Sequence, residues 1–325
     1  MFNSDKKFVP VMITPFNLKA KVDYDAVSTL VEFYLAAGVK GIFANCLSSE
    51  MYSISEDERL DLTRHIVKAV NDRVPVVATG SFGLTIDDKA IFSKKIYDTG
   101  IEAVILITGH FANVDDPDTV LLRNFDKMFK LTGDIPMGLY ECPAPYKRII
   151  SAEILSTLLA TDRLVYHKDT SIHRDQVKAK LAVVAGSKLE FYDAHTPNGA
   201  FSLQAGAKGM SSISGNFYPE ILVWLCNNAT NPDKQEEVEW LQAELTRVDP
   251  LIHIAYPMSA KYFLQKRGLP VRTISRSHIL ELTPAQKQTL NEIYASFLNW
   301  CERLGIELVD VKELVKPAIH LDPPI

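Results

Sequence analysis

Apolar and polar positions along this chain follow two rhythms. Eight short apolar or β-branched runs, at residues 8–14, 41–45, 74–80, 103–108, 135–140, 163–168, 189–194 and 207–213, predict buried strands. The segments between them have helical spacing. In 23–38, Val27, Leu30, Val31, Phe33, Tyr34 and Leu35 gather on one side, and Gly38 supplies a stop. Segment 55–70 opens with Ser55 and, three residues on, Glu58, the pattern of a capping box. Strands alternating with helices predict parallel β/α units, and eight in series predict an α/β fold, the (β/α)8 TIM barrel. After about residue 230 the rhythm changes. Residues 236–254, 257–269 and 283–305 are helical with no strand of consequence between them. We therefore expect a barrel domain over 1–230 and a C-terminal helical extension over 231–325 packed on it.

Composition narrows the function. The chain has 325 residues, 47% of them hydrophobic, enough for a large core. A net charge of −5, with no basic stripe, argues against a nucleic-acid partner. No apolar run is long enough to cross a membrane, and the N-terminal stretch lacks the pattern of a secretory signal. Cys46, Cys142, Cys226 and Cys301 lie far apart without a C-x-x-C pair, so neither disulfides nor a structural zinc is expected, and a cytoplasmic setting fits best.

The sixth run, "RLVYHK", ends on Lys168, a residue type seldom fully buried without a partner. It could be a solvated loop residue, pair with Asp169, or do chemistry. In a barrel, catalytic groups sit at the C-terminal ends of strands. Lys168 ends the sixth predicted strand, Tyr140 ends the fifth, and the loop 45–50 follows the second, so all three would share one mouth. An amine stripped of water is favoured in its neutral, nucleophilic form, which suits Schiff-base formation. A phenol at Tyr140 could relay the protons that such chemistry moves. Ser48 and Ser49, with nearby backbone amides, could hold a carboxylate, or merely cap the next turn.

These segments together resemble the dihydrodipicolinate synthase/N-acetylneuraminate lyase family of Schiff-base aldolases. "YHKDTS" resembles the family's imine-lysine segment at Lys168, and "LYECP" its catalytic-tyrosine segment at Tyr140, 28 positions earlier as in the family. "NCLSSEMYSISEDER" and "VPVMITPF" resemble the carboxylate loop and the first strand more loosely. The resemblance implies a lyase or aldolase in which Lys168 condenses with pyruvate or a 2-keto(-3-deoxy) acid. It further implies Tyr140 as proton shuttle, Ser48 and Ser49 at the carboxylate, no metal or organic cofactor, and a homo-oligomer, tetramer or dimer.

Departures from the family pattern leave the second substrate open. Leu47 stands where the family has a hydroxyl residue, and Ser49 where it has glycine. Phe111 stands near the tyrosine that the synthases donate from a neighbouring subunit, with His110 beside it as a substitute. Pro145 takes the place of an arginine that grips a second carboxylate, with Arg148 three residues later. These argue against dihydrodipicolinate synthesis itself. At the seventh strand end, Asp193, His195, Thr196 and Asn198 are candidates for substrate contact, as are Ser212 and Asn216 beyond the eighth. Two alternatives share the imine site: a keto-deoxy sugar acid dehydratase or decarboxylase, and a non-catalytic keto-acid binder.

Overall fold

All eight apolar runs carry strands in the computed structural model, which describes residues 4–277 and 281–315. They are β1 Lys7–Phe8, β2 Ile42–Phe43, β3 Val76–Thr79, β4 Ala103–Ile107, β5 Met137–Tyr140, β6 Leu164–Asp169, β7 Glu190–Asp193 and β8 Gly209–Met210. The strands are parallel, in the order β1-β8-β7-β6-β5-β4-β3-β2, so each pairs with its sequence neighbours. The ring closes where Val11 bridges Phe43 of β2, with the Phe43 N–H donating to Pro10 O at 3.0 Å.

The first strand is shorter than the 8–14 expected. Pro10 has no N–H to give, which breaks the ladder. Residues before it pair with β8 and those after it with β2, so the proline marks the change of partner. Helices α1 Tyr24–Ala36, α2 Glu56–Val70, α3 Ile86–Tyr97, α4 Asp118–Thr132, α5 Ala152–Leu159, α6 Arg174–Val184, α7 Gly199–Gln204 and α8 Pro219–Asn228 follow the successive strands. The α2 capping box is present, with the Glu58 N–H donating to Ser55 Oγ at 3.2 Å and the Ser55 N–H to Glu58 Oε2 at 3.0 Å.

Alternation of side chains across each strand makes two cores. The inner one fills the barrel with Val11, Phe43, Ile105, Ile107, Tyr140 and Tyr166. The outer one, with Leu106, Leu139, Phe191 and Met210, packs beneath the helices. Tyr140 and Lys168 are register partners on β5 and β6, so the same alternation aims both inward.

Beyond the barrel run α9 Gln235–Ile252, α10 Met258–Lys266, α11 Pro284–Leu304 and the short α12 Val311–Leu314. Their apolar faces join the outer core through Leu241, Phe263, Phe297 and Trp300. Tyr218 at the start of α8 meets Trp300 edge-on at 5.5 Å, and a buried Arg267–Glu220 pair at 2.5 Å ties α10 to α8. All four cysteines are free and buried. Among the described residues no helix is long and apolar enough to cross a membrane.

Candidate active site

A cavity of about 540 Å³ opens at the C-terminal ends of the strands, with Lys168 and Tyr140 on its floor. Lys168 is only 4% exposed. Among the described residues no carboxylate pairs with it; its ammonium lies 4.4 Å from the Tyr140 ring centre and 5.6 Å from that of Phe43. Ring faces recover a little of the lost hydration, far less than a carboxylate would. Burial therefore dominates, and it pulls the Lys168 pKa from 10.5 down to about 8. About a tenth of such amines are neutral at pH 7, against a few in ten thousand for an ordinary lysine.

Asp169 does not answer Lys168, because the next residue on a strand faces the opposite side. It joins a buried network behind β5 and β6 instead. The Lys180 ammonium, from α6, lies 2.5 Å from both Glu141 Oε1 and Asp169 Oδ2. His167 stacks on Phe191 with Nε2 at 3.6 Å from Glu141 and 3.8 Å from Asp169. Glu141, His167 and Asp169 have the make-up of a metal-ligand set, but Lys180 already supplies the positive charge between the two carboxylates. Glu141 also accepts from the Ile150 and Thr170 N–H groups at 2.9 Å each, and Asp169 from the Ser171 N–H at 2.9 Å. The network thus fixes the loops after β5 and β6, which carry Tyr140 and Lys168.

Tyr140 is 4% exposed, and burial, with the Cys142 thiol beside it, pushes its pKa well above the usual phenol value. At neutral pH it is a phenol that can donate. The loop after β2 forms a 3-10 turn over Leu47–Ser49, which brings Ser48 to the cavity wall. Glu50 closes that turn with φ 58°, a conformation costly for a residue with a Cβ. Four partners hold it there: Lys261 Nζ at 2.6 Å, Ser275 Oγ at 2.8 Å, and the Arg276 and Ser277 N–H groups at 2.6 and 2.8 Å. Burial alone would raise the Glu50 carboxyl, yet these donors hold it below the ordinary range. The clamp joins the barrel loop to the C-terminal segment across the mouth.

Of the residues expected at the site, Lys168, Tyr140, Ser48 and His195 line one cavity. Ser49, His110, Arg148 and Ser212 do not, and neither do Asp193, Thr196, Asn198 and Asn216. The Ser49 hydroxyl lies 2.6 Å from both Met12 O and Ala44 O, which bolts the loop to the barrel. Arg148 spends its guanidinium on Asn113 O at 2.7 Å, Asp116 O at 2.9 Å and Asp118 at 2.8 Å. His110 sits behind Tyr52, which donates or accepts at 2.9 Å, and Ser81 O lies 2.7 Å from its Nδ1. Burial lowers its pKa to about 4, so it is neutral. At the end of β8, Met210 packs outward, so its neighbour Ser211 faces the cavity and Ser212 is turned away.

At the seventh strand end, the Asp193 carboxyl receives the His195 N–H at 2.7 Å, and Thr196 pairs with Ser214 at 2.6 Å. Phe111 is buried against Phe125, ring centres 4.3 Å apart. Residues not anticipated from sequence complete the wall: Tyr256 from the break between α9 and α10, Asp249 and His253 from α9 and its end, and Lys147 from the loop after β5. Burial lowers the His195 pKa, and His253 and Lys147 push the same way against Asp249. The floor thus pairs a protonated phenol with an amine that gives up its proton more readily than an ordinary lysine, while Lys147, Asp249 and His253 stand at the rim.

Comparison with known proteins accounts for this layout. The model of the Dihydrodipicolinate synthetase family matches residues 5–296. The chain belongs to that family. Among its relatives, the 4-hydroxy-tetrahydrodipicolinate synthase of Bacillus subtilis (strain 168) is 26% identical over 284 residues, which cover 86% of this chain and 95% of that one. Two solved family structures superpose with a TM-score of 0.81. One, a prophage protein from E. coli K12 in complex with pyruvate, is 20% identical and covers 90% of this chain and 98% of its own. The other, described as the first monomeric dihydrodipicolinate synthase variant, is 18% identical and covers 94% and 99%. At those identities the structures establish a shared fold. Family membership supports a lyase of the class I aldolase type.

Proposed function

We propose that this chain is a Schiff-base lyase or aldolase acting on pyruvate or a 2-keto(-3-deoxy) acid through an imine at Lys168. The observation that carries the reading is the buried Lys168, its pKa near 8 and no carboxylate paired with it among the described residues, set beside Tyr140 on the floor of the cavity. In this reading the neutral amine adds to the keto carbon, water leaves, and the iminium draws electrons from C3 so that the bond beyond it can form or break. Ser48 would hold the keto acid's carboxylate. Lys147, His195 and Asp249 at the rim would meet a polar tail. Arg148 is engaged elsewhere, which supports a second substrate other than that of the synthases.

Incubation with pyruvate and borohydride, followed by peptide mass analysis, tests the reading. An adduct on the Lys168 peptide is expected, and it should disappear in Lys168→Ala. No adduct with pyruvate or with a panel of 2-keto acids would sink the imine. Release of pyruvate from 2-keto-3-deoxy acids then distinguishes carbon–carbon cleavage from dehydration. Assembly as a homo-oligomer belongs to the same proposal; elution at the mass of one chain in size-exclusion with light scattering would reject it.

A further inference from the structure

Tyr256 lies outside the eight β/α units, yet it lines the cavity with Lys168, Tyr140 and Ser48. Its hydroxyl is held from behind. Asn216, in the turn after β8, donates from Nδ2 to the Tyr256 oxygen at 2.7 Å and to Val11 O at 2.7 Å. The Tyr34 hydroxyl donates to Asn216 Oδ1, so the amide's orientation is set from its other end. An Asn Nδ2 can only donate. The Tyr256 oxygen must therefore accept there, and its own hydrogen is left to point elsewhere. The Ser48 hydroxyl lies beside it on the cavity wall. Tyr34, Asn216 and Tyr256 thus form one hydrogen-bonded chain that starts in the core and ends in the cavity.

Imine chemistry at Lys168 moves protons at several steps, and Tyr140 is not the only phenol that lines the cavity. Leu47, which also borders the cavity, has no hydroxyl, and Phe111 is packed away against Phe125. The Cys142 and Cys46 thiols also lie near Tyr140, and burial pushes the Cys142 thiol up to about 11. Burial likewise raises Tyr256 far above the usual phenol value, so it enters the reaction protonated.

We propose that Tyr256 is a catalytic acid–base residue for the Lys168 imine, supplied by the C-terminal helical segment of the same chain and acting with Ser48. The proposal rests on the imine reading above. As the lysine nitrogen bonds to the keto carbon, the phenol gives its proton to the carbonyl oxygen and recovers one from that nitrogen. It then protonates the hydroxyl of the carbinolamine. The C–O bond breaks, water leaves, the nitrogen pair closes C=N, and iminium and phenolate remain. The phenolate finally takes a proton from C3, which yields the enamine and restores the phenol. Every proton given is recovered, and no outside reagent is needed.

Pyruvate alone is a sufficient probe. Two rates are measured on the full chain: borohydride-trapped adduct at Lys168, and exchange of the pyruvate methyl protons in D2O followed by proton NMR. Tyr256→Phe keeps the ring and removes the proton. It should slow methyl exchange by about 10²-fold, on the scale of a positioned acid–base group, while the adduct still accumulates to the same final level. Exchange at the parent rate would overturn the role of Tyr256 and leave the imine reading standing. Absence of an adduct in the parent chain would overturn both. If Tyr256→Phe does not fold, Ser48→Ala reads the same relay: exchange slowed by about tenfold supports it, and an unchanged rate overturns it.

Discussion

Replacing Lys168 with methionine should make the protein more stable at neutral pH. The side chain is 4% exposed and lacks a counter-charge among the described residues, so the folded state carries an ammonium stripped of water. Its pKa falls from 10.5 to about 8, and at about 1.4 kcal/mol per tenfold this gap corresponds to roughly 3 kcal/mol. Between pH 8 and 10.5 the unfolded lysine keeps a proton that the folded one has shed, so stability rises with pH across that window. Below pH 8 both forms are charged and the full cost stands. Methionine fills a similar volume with an apolar, adaptable chain, so no cavity offsets the gain.

The assay is calorimetric melting of parent and variant from pH 7 to pH 10. For a chain of this length, roughly 3 kcal/mol corresponds to a rise of about 4 °C at pH 7. The gap should shrink to about 1 kcal/mol at pH 10, where most lysine in the unfolded chain begins to lose its charge. A variant that melts below the parent at pH 7, or a gap that ignores pH, would refute the claim that Lys168 is held at a desolvation cost. A group maintained against stability in this way is what a catalytic site requires and a structural site avoids.

The same pKa sets the pH profile of the chemistry. The initial rate of adduct formation with pyruvate should climb about tenfold per pH unit below 8 and level off above it; a plateau reached only near 10 would mean that Lys168 titrates as a surface lysine. Behind the strand, Lys180→Met should leave Glu141 and Asp169 facing each other, buried and without their cation, at a cost of about 3–5 kcal/mol in urea unfolding. A loss below about 1 kcal/mol would show that the cluster does not depend on Lys180.

How much of this was legible in the sequence depended on the range of the signal. The eight strands were, because buried parallel strands leave contiguous apolar runs and each pairs with its sequence neighbours. The strands β1, β2 and β8 are each only two residues long, shorter than their runs, and β1 stops at a proline whose missing N–H is itself visible in the sequence. The strand ends likewise brought Lys168 and Tyr140 together, since they are register partners on adjacent strands. Elsewhere one residue decides the facing direction. The outward packing of Met210 puts Ser211, rather than Ser212, on the cavity wall. Ser49 and Arg148 have the right chemistry for binding, but nearby carbonyls and a carboxylate engage them first, and no local pattern announces such partners.

The contributions of α9, α10 and the segment after them were illegible for a deeper reason. Tyr256 reaches the cavity across more than eighty positions of chain from Lys168, and Lys261 finds Glu50 across 211. Periodicity in these helices reports the faces buried in the outer core; it carries no trace of the break between them, which is the part that meets the site. The Glu50 clamp shows why that break belongs to the chemistry. A strained, positive-φ residue in the loop that carries Ser48 has its carboxylate held by four donors from beyond residue 260. Removing the C-terminal helices would therefore release that loop and withdraw Tyr256 at once, and the floor of the cavity would keep its lysine while losing the wall that works with it.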